Sequence, residues 1–139
     1  MSATVGVLQA VLAAEHAAVY GYGVVGGRIT ASREAEARQA YDAHRSRRDS
    51  LIRTLTDLGA QPVAAAPGYE LPFPVTDSPD ALKLAAFLED RVADTYGDLV
   101  RAATASLRQD AAAALRDAAV RAVRWTNTSR PFPGLTERS

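Results

Sequence analysis

The chain has 139 residues, with 47% hydrophobic and 23% charged side chains, and its 16 Asp and Glu are matched by 16 Lys and Arg. That length suits one domain with its own core, and the even balance leaves no basic excess for nucleic acid or an anionic membrane. There is no cysteine, which excludes a disulfide scaffold, a thiol nucleophile and a zinc–thiolate site.

The first predicted helix covers about residues 4–28. Leu8, Leu12, Glu15, Val19 and Tyr22 recur at alternating steps of four and three, so they share one helical stripe. Glu15 therefore sits in the middle of an apolar face. A buried carboxylate is costly unless something pairs with it, and what meets Glu15 becomes the question for the whole chain. His16 lies about 100° further round and flanks the core. A row of small residues, Ala10, Ala14, Ala17 and Gly21, allows close backbone approach. It reads either as packing inside the bundle or as the seam of a homodimer, which is the expected assembly. The uncharged runs before and after Glu15-His16 raise a membrane span, but that pair divides them. No basic start or small-residue cleavage pattern marks a signal peptide. The expectation is a cytoplasmic protein with no membrane or nucleic-acid partner.

A short turn follows, in which Thr30 or Ser32 is suited to cap the second helix, about residues 33–58, ending at Gly59. Its stripe is Ala37, Tyr41, His44, Arg48, Leu51, Leu55 and Leu58, polar in its first half and leucine-rich in its second. Residues 60–77 form the crossover. Pro62, Pro67, Pro72 and Pro74 forbid a helix, and the alternation of Tyr69, Leu71, Phe73 and Val75 describes an extended strap with one apolar edge. Extended chain at about 3.3 Å per residue reaches beyond the roughly 38 Å of a 25-residue helix. The strap can thus return the chain to the end where the second helix began. Ser78-Pro79 is a start signal for a third helix over about 79–105, with Ser78 as the cap. Its stripe, Ala85, Glu89, Val92, Tyr96, Leu99 and Ala103, carries a second core carboxylate. The fourth helix, about 107–126, turns Ala111, Leu115, Ala118, Ala122 and Trp125 inward, with Asp117 and Arg121 as a solvated i,i+4 pair. In the tail, 127–139, Phe132 and Leu135 are placed to cap one end of the bundle.

Counting residues from the turns brings Glu15, His44, Arg48 and Glu89 to one depth, with Tyr22, Tyr41 and Tyr96 on the same stripes above and below. The segments AAEHAAVYGYGVVG, YDAHRSRRD, YELPFPVTD, LEDRVADTYGDLV and RDAAVRAVRW, with FPGL in the tail, resemble a mostly actinobacterial family of ferritin-like four-helix bundles with no assigned role. The resemblance implies an all-α, up-down bundle with one long crossover. The di-iron site of that fold uses a Glu from each of two helices and a Glu-x-x-His from each of the others. Glu15 and Glu89 match the acids of the first and third helices and His44 matches one histidine. Tyr41 stands where its partner Glu belongs, and the fourth helix has no Glu-x-x-His. The site reads as a degenerate di-iron site.

Three readings follow. In the first, Arg48 neutralises Glu15 and Glu89, with His44 and the tyrosines completing a metal-free structural cluster. In the second, Glu15, His44 and Glu89 hold one Fe, Mn or Zn ion, in a binding protein or an oxidoreductase. In the third, the bundle is an interaction module whose polar layer is a remnant. The glycines follow no strand, so no phosphate loop is formed, and no serine lies in a nucleophile elbow. No catalytic residue and no resident cofactor is assigned, and the balance leans away from an enzyme.

Overall fold

The computed structural model describes residues 2–127, and these form an all-α protein of four long helices. They are α1 (Ser2–Arg28), α2 (Glu34–Asp57), α3 (Ser78–Ala102) and α4 (Ala105–Thr126), with a short 3-10 turn at Ala31–Arg33. The expected cap by Phe132 and Leu135 lies outside the described residues.

Local chemistry sets most helix ends. α3 starts where the Asp77 side chain accepts from Asp80 N–H at 2.9 Å, with Pro79 just inside the helix. Asp77 is the cap, and not Ser78 as the sequence signal predicts. The Ser78 hydroxyl instead accepts from Thr30 N–H at 3.2 Å, so it ties two helix ends together. Neither Thr30 nor Ser32 caps α2, because the 3-10 turn intervenes and the residue before α2 is Arg33, which makes no side-chain cap bond. α2 is terminated just before Gly59, whose φ of +81° is the left-handed conformation that glycine adopts without steric cost. The N–H groups of Gly59 and Ala60 then satisfy the carbonyls of Thr56 and Leu55.

Residues 58–77 contain no helix and lie along the outer side of α1. Gln9 grips this segment in both directions: its Nε2 donates to the Gln61 carbonyl at 2.8 Å and its Oε1 accepts from Val63 N–H at 2.8 Å. His16 meets the Val63 carbonyl at 3.0 Å, Tyr20 packs on Tyr69, and Phe73 packs edge-on against Phe87 of α3. The contacts progress from Gln9 along α1 to Thr30 just beyond its end, so α3 begins beside the end of α1 and runs antiparallel to it. At the opposite end Thr4 reaches the Ala102 carbonyl. α1 packs on α2 and α3, and α3 packs on α4. α2 meets α4 through a polar bridge, Arg47 Nη2 to Asp117 Oδ2 at 3.0 Å.

The apolar core is in two parts. One gathers Leu8, Leu12, Leu51, Leu55, Val92 and Leu99. The other gathers Val25, Ile29, Leu84, Leu88 and Trp125. Glu15, His44 and Glu89, each with no exposed surface, are buried among the helices that carry both parts. Gly21 shows why α1 uses small residues toward α3: a Cβ there would stand 2.5 Å from Leu88 Cδ1. Among the described residues, Ala3–Arg28 is the one helix long and apolar enough to cross a membrane, with a mean hydropathy of 1.3. A core helix passes the same test, and the Leu8–Leu12–Glu15–Tyr22 face is fully covered by the bundle.

Candidate functional site

The polar layer is a closed network built from all four helices. His44 of α2 stands at its centre. Its Nδ1 meets Glu15 Oε1 at 2.5 Å and its Nε2 meets Glu89 Oε2 at 2.9 Å. Burial alone lowers the pKa of an imidazole. Here the hydrogen bonds that both carboxylates accept, with their charge, outweigh burial and push it up to about 9. At neutral pH His44 is therefore an imidazolium, and both ring N–H groups donate.

Each carboxylate has further donors. Tyr96 of α3 donates to Glu15 Oε2 at 2.7 Å. Tyr22 of α1 donates to Glu89 Oε2 and accepts from Trp125 Nε1 of α4 at 2.8 Å. Burial, then the adjacent carboxylate charge, holds both phenols well above their ordinary pKa, so they stay neutral donors. The Tyr22 ring stacks on His44 at 5.4 Å. Arg121 of α4 completes the set, its Nε donating to Glu89 Oε2 at 3.0 Å while its side chain stays 20% exposed. Two carboxylates thus face one imidazolium and one guanidinium. Removing such groups from water costs several kcal/mol per ion, which only a matched and hydrogen-bonded set offsets. One atom stands outside the pattern: Glu89 Oε1 is buried with no hydrogen-bond partner among the described residues.

The structure brings Glu15, His44, Glu89, Tyr22 and Tyr96 together and leaves Arg48 and Tyr41 out. Arg48 lies one turn beyond His44, level with the leucine half of α2, and turns outward to Asp49 at 3.0 Å. Tyr41 is half-buried at the edge of α2, beneath the Arg45 guanidinium at 5.6 Å. The basic partner of Glu89 is Arg121, which the sequence reading assigns to a solvated pair with Asp117. Asp117 bonds Arg47 instead. A signal for Arg121 exists: it lies three residues after Ala118 and four before Trp125, both buried, so it borders the inward face of α4. Trp125, inward by helical period, also brings its indole N–H into the network.

Glu15 and Glu89 approach His44 from opposite edges of the ring. As arranged, the three side chains do not converge on one point. Among the described residues no group of three His, Cys, Asp or Glu side chains is placed to hold a metal ion.

A family model described as a domain of unknown function (DUF4439) matches residues 7–137. The chain belongs to the DUF4439 family. It is also similar to a solved structure, described as a conserved hypothetical protein, rv2844, from Mycobacterium tuberculosis. The TM-score is 0.88 at 38% identity, covering 91% of this chain and 96% of that one. No curated protein matches. Membership of DUF4439 brings no activity with it.

Proposed function

We propose that this protein is a ferritin-like bundle whose degenerate core site is metal-free, and that it acts through its surface, as a homodimer, and not as an enzyme. The observation that carries this is the commitment of both His44 nitrogens to carboxylates, with Arg121 supplying the second positive charge. A divalent ion would have to displace the proton on His44 and the guanidinium at Glu89 together. The cluster then serves to hold helix register, the best-attested use of buried ionic groups.

The outward face of α1 supports the surface reading. Ala10 and Ala13 are exposed, Ala17 is half-exposed and Tyr20 is 40% exposed, and between Ala3 and Gly27 the helix carries no charge besides Glu15. An uncharged helix face of this kind suits a second copy of the chain. Light scattering on the full chain should give twice the monomer mass, and a monomer at all concentrations would remove this part. A cytoplasmic location belongs to the same proposal, supported by the way α1 buries Glu15 inside the bundle.

The alternative is a mononuclear Fe, Mn or Zn site at Glu15, His44 and Glu89. The unpartnered Glu89 Oε1 favours it, since a free buried carboxylate oxygen is an acceptor for a cation. Elemental analysis decides between the two. Untagged protein, purified without chelator and loaded with ferrous iron, manganese or zinc, should retain far less than one ion per chain. Stoichiometric metal that vanishes in Glu89→Ala would overturn the metal-free reading and make oxygen consumption the next assay.

A further inference from the structure

The α2–α4 side of the bundle opens a cleft of about 110 Å³ lined by Glu36, Gln39, Ala40, Arg121, Arg124 and Trp125. Its charges are uneven. Glu36, its one acid, is held by Arg33 through two bonds, Nε to Oε1 at 2.9 Å and Nη2 to Oε2 at 3.1 Å. Arg121 gives only its Nε to Glu89, and its terminal amino groups have no hydrogen-bond partner among the described residues. The Arg124 guanidinium, exposed one turn on, has none either among those residues. The Gln39 amide borders the same space. Two guanidinium groups with free donors, a neutral amide and a neutralised acid form a receptor for an oxyanion, because the planar guanidinium fork matches carboxylate and phosphate geometry. The negative pole of the α4 end is offset by the positive pole of α2, which begins at the same end.

We propose that this cleft binds a small oxyanion group, a phosphate or a carboxylate, between Arg121 and Arg124, and that binding is felt in the core. An anion on the outer donors of Arg121 competes with Glu89 for the same guanidinium. Glu89 shares its Oε2 with His44 and Tyr22, and Tyr22 holds the Trp125 indole N–H. The site is thus wired to three reporters, one of them the single tryptophan of the chain.

The test is a titration of the full chain with inorganic phosphate, methyl phosphate and acetate in separate arms, against chloride at matched ionic strength. The Trp125 indole and His44 ring resonances are followed by NMR. The expected result is a saturable shift of both reporters with at least one oxyanion. Arg124→Gln, which lies outside the core network, should weaken binding by about tenfold, the worth of one charged hydrogen-bond partner. Arg116→Gln, on exposed α4 surface away from the cleft, should leave it unchanged. Selectivity for the two phosphates identifies the phosphate class, and a response to acetate alone the carboxylate class. No saturable shift at concentrations on the order of 10 mM, or a shift that Arg124→Gln does not alter, overturns the proposal. Metal content is read separately, so failure here leaves the metal-free reading standing, and the reverse also holds.

Discussion

The protonation of His44 is expected to make the stability of this protein fall as pH rises through the neutral range. In the unfolded chain an imidazole titrates near 6.5, while in the fold burial opposes the charge and the two carboxylates more than restore it, to about 9. Below pH 6.5 both states hold the proton and the stabilisation is complete. Between 6.5 and 9 the native state binds one proton more than the unfolded state, so stability declines with a slope near 1.4 kcal/mol per pH unit. Across the window the loss is about 3 kcal/mol, a large part of the total for a domain of this size. Urea unfolding at steps from pH 5.5 to 9.5, at fixed ionic strength, measures it directly. His44→Gln should abolish the slope in that window whatever it does to absolute stability. Above pH 10 a second decline is expected, because unfolded tyrosines ionise there while buried Tyr22 and Tyr96 stay neutral. A flat or rising profile between pH 6.5 and 9 in the wild type would refute the doubly donating imidazolium and with it the charge balance of the network.

Two further contrasts test the packing of the core. Arg121→Leu leaves Glu89 with one cation fewer and should cost about 2 kcal/mol, below the full penalty for a buried pair because Arg121 is partly exposed. Arg48→Ala, which removes only an exposed contact with Asp49, should stay within about 0.5 kcal/mol. Equal effects in thermal or urea unfolding would contradict the assignment of Arg121. On α1, Gly21→Ala drives a methyl group into Leu88 and should destabilise by about 1–3 kcal/mol. Gly23→Ala, with no atom within 4 Å of the new carbon, should stabilise the helix by up to about 1 kcal/mol. A stabilising Gly21→Ala would show that α1 and α3 are not in the close contact described.

The residues that spacing alone could find are those whose role depends on a single helix. Glu15, His44 and Glu89 each interrupt an apolar stripe, and helical period is enough to point each of them inward. Their meeting at one depth needed only residue counts from the turns, because short turns and straight helices keep register. Arg48 and Arg121 show where that reasoning stops. Both border an inward face, and a long arginine at the edge of a stripe can turn either way. What decides is the neighbour: α4 packs on α3 beside Glu89, while α2 has Asp49 within reach of Arg48. The contest between Ser78 and Asp77 is of the same kind, since Thr30, in the turn after α1, claims the Ser78 hydroxyl. Interhelical position is not written in the period of any one segment.

The same dependence gives the network its structural meaning. Leucine packed on leucine tolerates a slip of one turn, about 5.4 Å, with modest loss. A slip of that size in any helix here would separate a charge from its partner inside the core, where a broken buried pair costs about 3–5 kcal/mol. Every helix contributes at least one member: Glu15 and Tyr22 from α1, His44 from α2, Glu89 and Tyr96 from α3, Arg121 and Trp125 from α4. The α1–α2–α3 contacts bury Leu8, Leu12, Leu51, Leu55, Val92 and Leu99 together with several Ala. In the metal-free reading proposed above, the network adds a second specification of register to that packing, whether or not the set adds net stability over an apolar core.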